Sequence, residues 1–190
     1  MDLGKLKKDI VFSAKLRDFD LHFCSTWGLF SPRSIDVGTH LLVDHLEINE
    51  GDTCLDVGCG YGVVGMVMAQ LSRTGEVYMV DKDFVAIKYS KVNVKQNHMV
   101  NCKVIMSNAF SHVPKLRFDV IASNLPANVG KELLKIILVE SKGHLNPSGK
   151  LYVVTISSLR EYIKRQFSEI FGNYRKVKQG KTHTVALAIR

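Results

Sequence analysis

Short apolar strands alternate with helix-length segments from about residue 38 to the end of the chain, and this alternation leaves few folds open. Residues 53–57, 76–80, 104–106, 118–122 and 151–156 read as strands. A helix is expected where Leu41, Leu42, His45 and Leu46 share one face ahead of the turn Asn49-Glu50-Gly51-Asp52, and another over 63–71. Asp83 is placed to cap a third, with Val85, Ala86, Tyr89, Val92 and Val94 as its apolar faces. An amphipathic helix follows over 132–145, closed by Asn146-Pro147-Ser148-Gly149, and a last one over 159–170. Residues 175–177 and 184–189 have no helix between them and read as an antiparallel pair. The expected fold is α/β: a doubly wound, mostly parallel seven-stranded sheet with helices on both faces and an antiparallel edge hairpin.

Residues 1–40 are different in character. Phe19-Asp20-Leu21-His22-Phe23 alternates like a half-buried strand, and Trp27-Gly28 and Ser31-Pro32 break the chain into loop. This predicts a short amino-terminal β extension over 1–40 and the α/β domain over 41–190. At 190 residues and 46% hydrophobic content the chain is long enough to bury its own core. Its longest apolar runs fall far short of the ~20 residues of a membrane span, and Met1-Asp2-Leu3-Gly4-Lys5 is unlike a secretory signal. Cys24, Cys54, Cys59 and Cys102 form no pair with zinc spacing, so no metal is expected and reduced thiols in a cytoplasmic protein are. None of the seven histidines has a partner at the spacing of a nucleophile, base or metal ligand.

Ligands of such sheets bind at the carboxyl ends of the strands, which places the first chemistry in Asp56-Val57-Gly58-Cys59-Gly60-Tyr61-Gly62. Two readings of these glycines compete. Gly60, Gly62 and Gly65 match G-x-G-x-x-G, and Asp81 lies 21 positions beyond Gly60, as in a dinucleotide fingerprint. Shifted back, Gly58, Gly60 and Gly62 follow Asp56 in the pattern D-x-G-x-G-x-G, which resembles the first motif of class I S-adenosylmethionine methyltransferases. A pyrophosphate is better served by a glycine turn without an acid beside it, because a carboxylate repels the anion. The acid suits a cationic methionine ammonium.

A second motif weighs on the choice. The strand 118–122 runs into Ser123-Asn124-Leu125-Pro126-Ala127-Asn128, at the place where amino-group methyltransferases carry an acid, Asn or Ser followed by Pro-Pro and an aromatic or Ile. A base's exocyclic amine is a poor nucleophile because its lone pair is delocalised into the ring. The Asn124 amide oxygen and the Leu125 carbonyl are placed to accept its two N–H bonds and hold the nitrogen pyramidal. Pro126 stiffens the loop and keeps Leu125 extended. The pattern departs from the family in two places: Leu125 stands for the usual first Pro, and Ala127 for the aromatic that stacks on the base. Phe30 or Tyr61 is then the candidate to hold the base.

The resemblance extends along most of the chain. Thr26 to Ser31 and Ile35 to Leu42 are similar to the segment before the first motif in the small-subunit ribosomal RNA guanine-N2 methyltransferase family, and Ser123 to Glu132 is similar to its small archaeal single-domain relatives. That resemblance implies a Rossmann-like fold with S-adenosyl-L-methionine as cofactor. It implies a cofactor site lined by Phe30, Gly38, Thr39, Asp56, Gly58, Gly60, Gly62, Asp81, Lys82, Asn108, Ala109 and Asn124, covered by a loop of the amino-terminal extension. Asp81 would take the ribose hydroxyls, and Asn108, where the family has Asp, the adenine amine. Asn124, Leu125 and Pro126 would be the catalytic set.

The formal net charge of +8 comes partly from clusters at Lys5, Lys7 and Lys8, at Lys88, Lys91 and Lys95, at Arg160, Lys164 and Arg165, and at Arg175, Lys176, Lys178 and Lys181. Each alone reads as solvated surface; beside an amine-methylation motif they favour RNA, ribosomal by the resemblance, as substrate. The expected activity is methyl transfer to an exocyclic amine of RNA, guanine N2 first, by a monomer or homodimer without membrane or metal. A protein glutamine-amide or small-molecule N-methyltransferase shares the Asn-x-Pro logic. A cofactor-holding RNA-binding module without turnover is what the departures at Leu125 and Ala127 would suit, and a nicotinamide dehydrogenase is what the glycines alone allow.

Overall fold

The computed structural model describes residues 8–126 and 129–190. At its centre lies β3 (Cys54–Val57), buried on both faces as a strand covered by helices on either side must be. It pairs in parallel with β4 (Val77–Asp81) on one side and β6 (Phe118–Asn124) on the other. Outward from β4 lies β5 (Cys102–Met106); outward from β6 lie β7 (Leu145–Ile156), β9 (His183–Ile189) and β8 (Arg175–Gln179). The sheet order is thus β5-β4-β3-β6-β7-β9-β8, with β9 antiparallel to both its neighbours, as expected. The chain runs from β3 toward one edge, then returns to build the other, so the switch in direction falls between β3 and β6. Exposed Arg175, Lys176 and Lys178 occupy the β8 edge, where charge discourages pairing with another chain.

Five helices cover the sheet among the described residues: α1 (Val37–Val43), α2 (Val63–Leu71), α3 (Phe84–Gln96), α4 (Lys131–His144) and α5 (Arg160–Phe171). Strand alternation divides the core. Cys54, Met79, Tyr152 and Val154 face the cluster under the first three helices, whereas Leu55, Val57, Phe118 and Val153 face the one with Leu138, Ile163 and Phe167 of α4 and α5. Each such fully buried aliphatic or aromatic side chain contributes about 1.5–3 kcal/mol of transfer free energy.

The expected amino-terminal β extension is present as a hairpin, in which β1 (Ile10–Leu16) pairs antiparallel with β2 (Phe19–Ser25), Ile10 opposite Ser25. Three details of the helices and strands differ from expectation. Helix α1 begins at its Asp36 cap and stops before His45 and Leu46, because Arg17 from the hairpin turn donates to the carbonyls of Val43 (2.6 Å) and Leu46. Asn146 to Gly149 makes an excursion inside the long β7 rather than a loop before it, marked by a register shift against β6. On α3, Val85 and Val92 are exposed, and the inward face carries Ala86, Ile87, Tyr89 and Asn93.

Asn93 is fully buried for a reason that lies in the hairpin. Its Oδ1 accepts from the Cys24 amide at 2.7 Å, and its Nδ2 donates to the carbonyls of Cys24 (2.9 Å) and Tyr61 (2.8 Å). One turn on, Asn97 repeats the pattern with His22, Oδ1 accepting from the amide at 2.9 Å and Nδ2 donating to the carbonyl at 2.7 Å. Two helix amides four positions apart thus match two strand residues two positions apart, both steps being about 6–7 Å. The free edge of β2 is satisfied by side chains instead of a third strand. Phe12 stacks on Phe23 with centroids 5.4 Å apart, and both rings pack edge-on to Tyr61 in the glycine loop. Asn93→Ala should cost roughly 3 kcal/mol by stranding buried backbone groups, and the more exposed Asn97→Ala about 1 kcal/mol. Urea unfolding gives the totals; amide exchange at His22 and Cys24 should quicken first.

Candidate functional site

A cavity of about 690 Å³ opens at the carboxyl ends of β3, β4 and β6, beside the switch in strand order. Its floor is the glycine loop between β3 and α2. Gly58 and Cys59 donate to the Val80 carbonyl at 2.8 and 2.9 Å, turning the chain back over β4, and Gly62 closes a turn onto Cys59 at 2.8 Å. Gly58, Gly60 and Gly62 have φ of +75°, +55° and +103°, values that side-chain-bearing residues adopt only under strain. Gly65 serves packing: a Cβ there would lie 2.5 Å from Cγ of Met79.

Two acids hold this loop. Gly62 is the N-cap of α2 and has no side chain to offer, so Asp56, from the end of β3, takes the role: its Oδ2 accepts from the Gly65 amide at 2.8 Å. Burial raises the Asp56 carboxyl from 3.8 to about 7; the Gly65 bond opposes this and the charge of Asp81 adds to it. Asp81 accepts from the Gly60 amide at 2.9 Å through Oδ2 and from the Asp83 amide at 2.9 Å through Oδ1, tying the loop to the end of β4. Burial also pushes the pKa values of the Cys24, Cys54, Cys59 and Cys102 thiols upward.

Across the cavity, Asn124 ends β6 with its amide orientation set by neighbours. Nδ2 donates to Thr39 Oγ1 at 2.9 Å and to Asp36 Oδ2 at 3.2 Å, and that same Asp36 oxygen accepts from the Thr39 amide at 3.1 Å as the N-cap of α1. With the NH₂ group committed to two acceptors, Oδ1 is left as an acceptor for a donor in the cavity. Leu125 is buried, and its amide donates to the Val154 carbonyl at 3.0 Å, extending the β6–β7 pairing by one residue. A Pro there would lose that bond, so the departure from the family pattern at this position has a packing role.

Of the residues singled out in the sequence, Phe30, Thr39, Asp56, Gly58, Gly60, Asp81, Lys82, Asn108, Ala109, Asn124, Leu125 and Pro126 line the cavity. Gly38 and Gly62 do not; Gly38 lies where a Cβ would come within 2.7 Å of the His183 ring. Tyr61 lines it but is 5% exposed, its hydroxyl donating to the Ser31 carbonyl at 3.1 Å, so its ring supports the wall. Phe30, 68% exposed, is the more exposed of the two candidate aromatics. Ala127 and Asn128 lie outside the described residues, as do Lys5 and Lys7. The other basic clusters lie outside the cavity lining, which carries Lys82 instead. Asp36 and His183 are among the lining residues that the sequence alone did not single out. Asp36 was legible as an acid three positions ahead of Thr39 at a helix start; His183, brought in by β9, had no local signal. Among the described residues no cluster of His, Cys, Asp or Glu could hold a metal ion, and no helix is long and apolar enough to cross a membrane.

Comparison with known proteins gives consistent matches. Residues 20–186 match the family model "Methyltransferase small domain". The chain is 37% identical over 145 residues to the uncharacterized protein YbxB of Bacillus subtilis, covering 75% of this chain and 72% of that one. It is 33% identical over 156 residues to ribosomal RNA small subunit methyltransferase C of Hamiltonella defensa, covering 80% of this chain and 45% of the relative. The structure of T. thermophilus 16S rRNA N2 guanine methyltransferase RsmC, in complex with AdoMet and guanosine, superposes with a TM-score of 0.87 at 23% identity, covering 96% of this chain and 50% of that one. This chain thus spans about half the length of the two ribosomal RNA methyltransferases.

The buried Asp56 makes stability depend on pH. Between its ordinary pKa and about 7 the native protein keeps a proton that the unfolded chain has released, so stability falls as pH rises through that window. Asp56→Asn retains an acceptor for Gly65 and removes the ionisation. Urea midpoints at pH 5 and pH 8 should therefore differ less in the variant than in the parent, and equal pH slopes would contradict the shift.

Proposed function

Because the chain belongs to the methyltransferase small domain family, we propose that it moves a methyl group from S-adenosylmethionine to an exocyclic amine of RNA, with guanine N2 of ribosomal RNA as the first candidate. The observation that carries this reading is the fixed amide of Asn124, whose Oδ1 is turned into an acceptor at the cavity by Asp36 and Thr39. The kinship with the ribosomal RNA methyltransferases favours RNA, and so does a net charge of +8.

S-adenosylmethionine is the methyl donor, and the cavity suits it. Gly58 and Gly60, without Cβ atoms, let the loop backbone approach a ligand closely. A buried carboxylate whose charge is unfavourable in its own surroundings gains from a cation, and an ammonium group supplies one. In this assignment Asp56, Gly58, Gly60 and Gly62 hold and shape the methionine end, Asp81 with Lys82 takes the ribose hydroxyls, and Asn108 with Ala109 takes the adenine. Phe30, Gly38 and Thr39 complete the side nearest Asn124, Gly38 indirectly through the packing of α1 against His183. Residues 1–40 act as the extension whose loop covers the cofactor, and 41–190 as the methyltransferase domain.

When bound, the cofactor supplies an electrophilic methyl group carried on a sulfonium. The protein's part is to aim the acceptor. Asn124 Oδ1 and the Leu125 carbonyl accept the two N–H bonds of the amine, drawing its lone pair out of conjugation and toward the methyl. Pro126 stiffens the loop that carries them, and Phe30 offers a ring face to the base. No strong base is needed, since the nitrogen releases its proton after transfer, when it has become acidic.

The test is methyl transfer from labelled S-adenosylmethionine to unmodified total RNA, followed by nucleoside analysis. Label in N2-methylguanosine supports the assignment; cofactor binding without label in any RNA favours a protein or small-molecule amine instead. Asn124→Ala should abolish transfer and leave cofactor affinity nearly intact, which calorimetry separates from turnover. Asp36→Ala, which frees the Asn124 amide to rotate, should lower kcat by roughly 10- to 100-fold, and Asp36→Asn, still an acceptor, by less.

A further inference from the structure

Beside the mouth of the cavity lies a second feature that the catalytic assignment does not use. Trp27 is 41% exposed, and the Arg33 guanidinium sits over its ring, 4.4 Å from the centroid. Arg33 is itself exposed, and none of the ion pairs among the described residues includes it. An exposed indole beside a cation that no carboxylate neutralises matches the two parts of a nucleotide, an aromatic ring and an anion.

The loop that carries the pair is held from several sides. Leu29 and Ile35 are buried, each 8% exposed. The Ser25 hydroxyl donates to the Pro32 carbonyl, the Ser31 hydroxyl to that of Ser34 at 2.6 Å, and the Tyr61 hydroxyl to that of Ser31 at 3.1 Å. Leu29 closes a turn on Thr26 at 3.3 Å, and Gly28 takes φ +92°. A surface so ordered in advance loses little entropy on binding. Its position matters as much. Gly28, Phe30 and Ser31 line the cavity and Trp27 does not, yet three residues of chain put Trp27 within about 11 Å of Phe30.

We infer that Trp27 and Arg33 form a nucleotide subsite outside the cavity: the open face of the indole stacks on a base flanking the target, and the guanidinium pairs with its phosphate. The inference rests on the reading of the substrate as RNA and adds where the neighbouring nucleotide is held. A target base splayed into a cavity leaves its neighbours unstacked, and a fixed aromatic ring beside the mouth replaces one lost stacking partner.

Trp27 is the only tryptophan in the chain, so its emission reports this place alone. The full chain is titrated with a fluorescein-labelled single-stranded RNA of twelve nucleotides, followed by anisotropy, and with the same RNA unlabelled, followed by tryptophan emission. Both signals should saturate at the same midpoint. Trp27→Ala should weaken RNA binding roughly 5- to 150-fold. Trp27→Phe, which keeps a ring, should stay within a few-fold of the parent, and Arg33→Ala should lower the salt slope by about one. S-adenosylmethionine affinity by calorimetry should not change in any of the three. RNA binding by anisotropy with silent tryptophan emission and an undiminished Trp27→Ala variant would overturn the subsite and leave the RNA reading standing. No anisotropy change with the RNA would overturn both.

Discussion

One carboxylate, placed at the end of the central strand, caps a helix that cannot cap itself. Helix α2 starts from a glycine in the left-handed region, a conformation the tight loop demands and a residue with no oxygen to offer its first amides. Asp56 supplies that oxygen from β3 and thereby fastens strand, loop and helix to one another. Val63 and Val64, the first two residues of that helix, line the cavity. Asp81 repeats the device from β4. Burial raises the pKa of the Asp56 carboxyl, and the charge of Asp81 on the same small loop adds to that.

The second wall obeys the same economy. Asp36 caps α1 and, with the same oxygen, accepts a hydrogen bond from the Asn124 amide. An asparagine with its NH₂ free to turn presents oxygen or nitrogen to the cavity with similar ease. Here Asp36 and Thr39 decide the matter before any substrate arrives, so the acceptor needs no reorganisation. The position of α1, and with it the amino-terminal loop, is therefore tied to the direction in which one amide points.

The sheet and the two motifs were legible because they are local: a strand, a turn and a helix start lie within a few residues, and their periodicity betrays them. Strand β1 has the same alternation, Ile10, Phe12, Ala14 and Leu16 turned inward, but its partly covered positions make a weak pattern. What escaped was contact between distant segments. Asn93 on the inner face of α3 looks like an interruption until the backbone of β2 is laid against it. Val85 and Val92 look like core and are exposed for the same reason: the helix turns its polar amides, not these valines, toward the hairpin. Leu125 looked like a missing proline, but its amide, just past the end of β6, donates to the Val154 carbonyl. Asp36 stood in plain view as a helix cap, while its hold on Asn124, 88 positions away, could not be read from either residue.

The pairing of Asn93 and Asn97 with β2 also restricts how this chain can vary over generations. Successive helix residues are rotated about 100° from one another, so one residue inserted or deleted between the two asparagines would swing one amide off the strand while the other stayed engaged. Substitutions elsewhere on α3 can accumulate singly, but a change of length in this turn would require a compensating change in the hairpin at the same time. The four-residue interval is thus a fixed ruler that runs from the inner face of α3 to its C-cap.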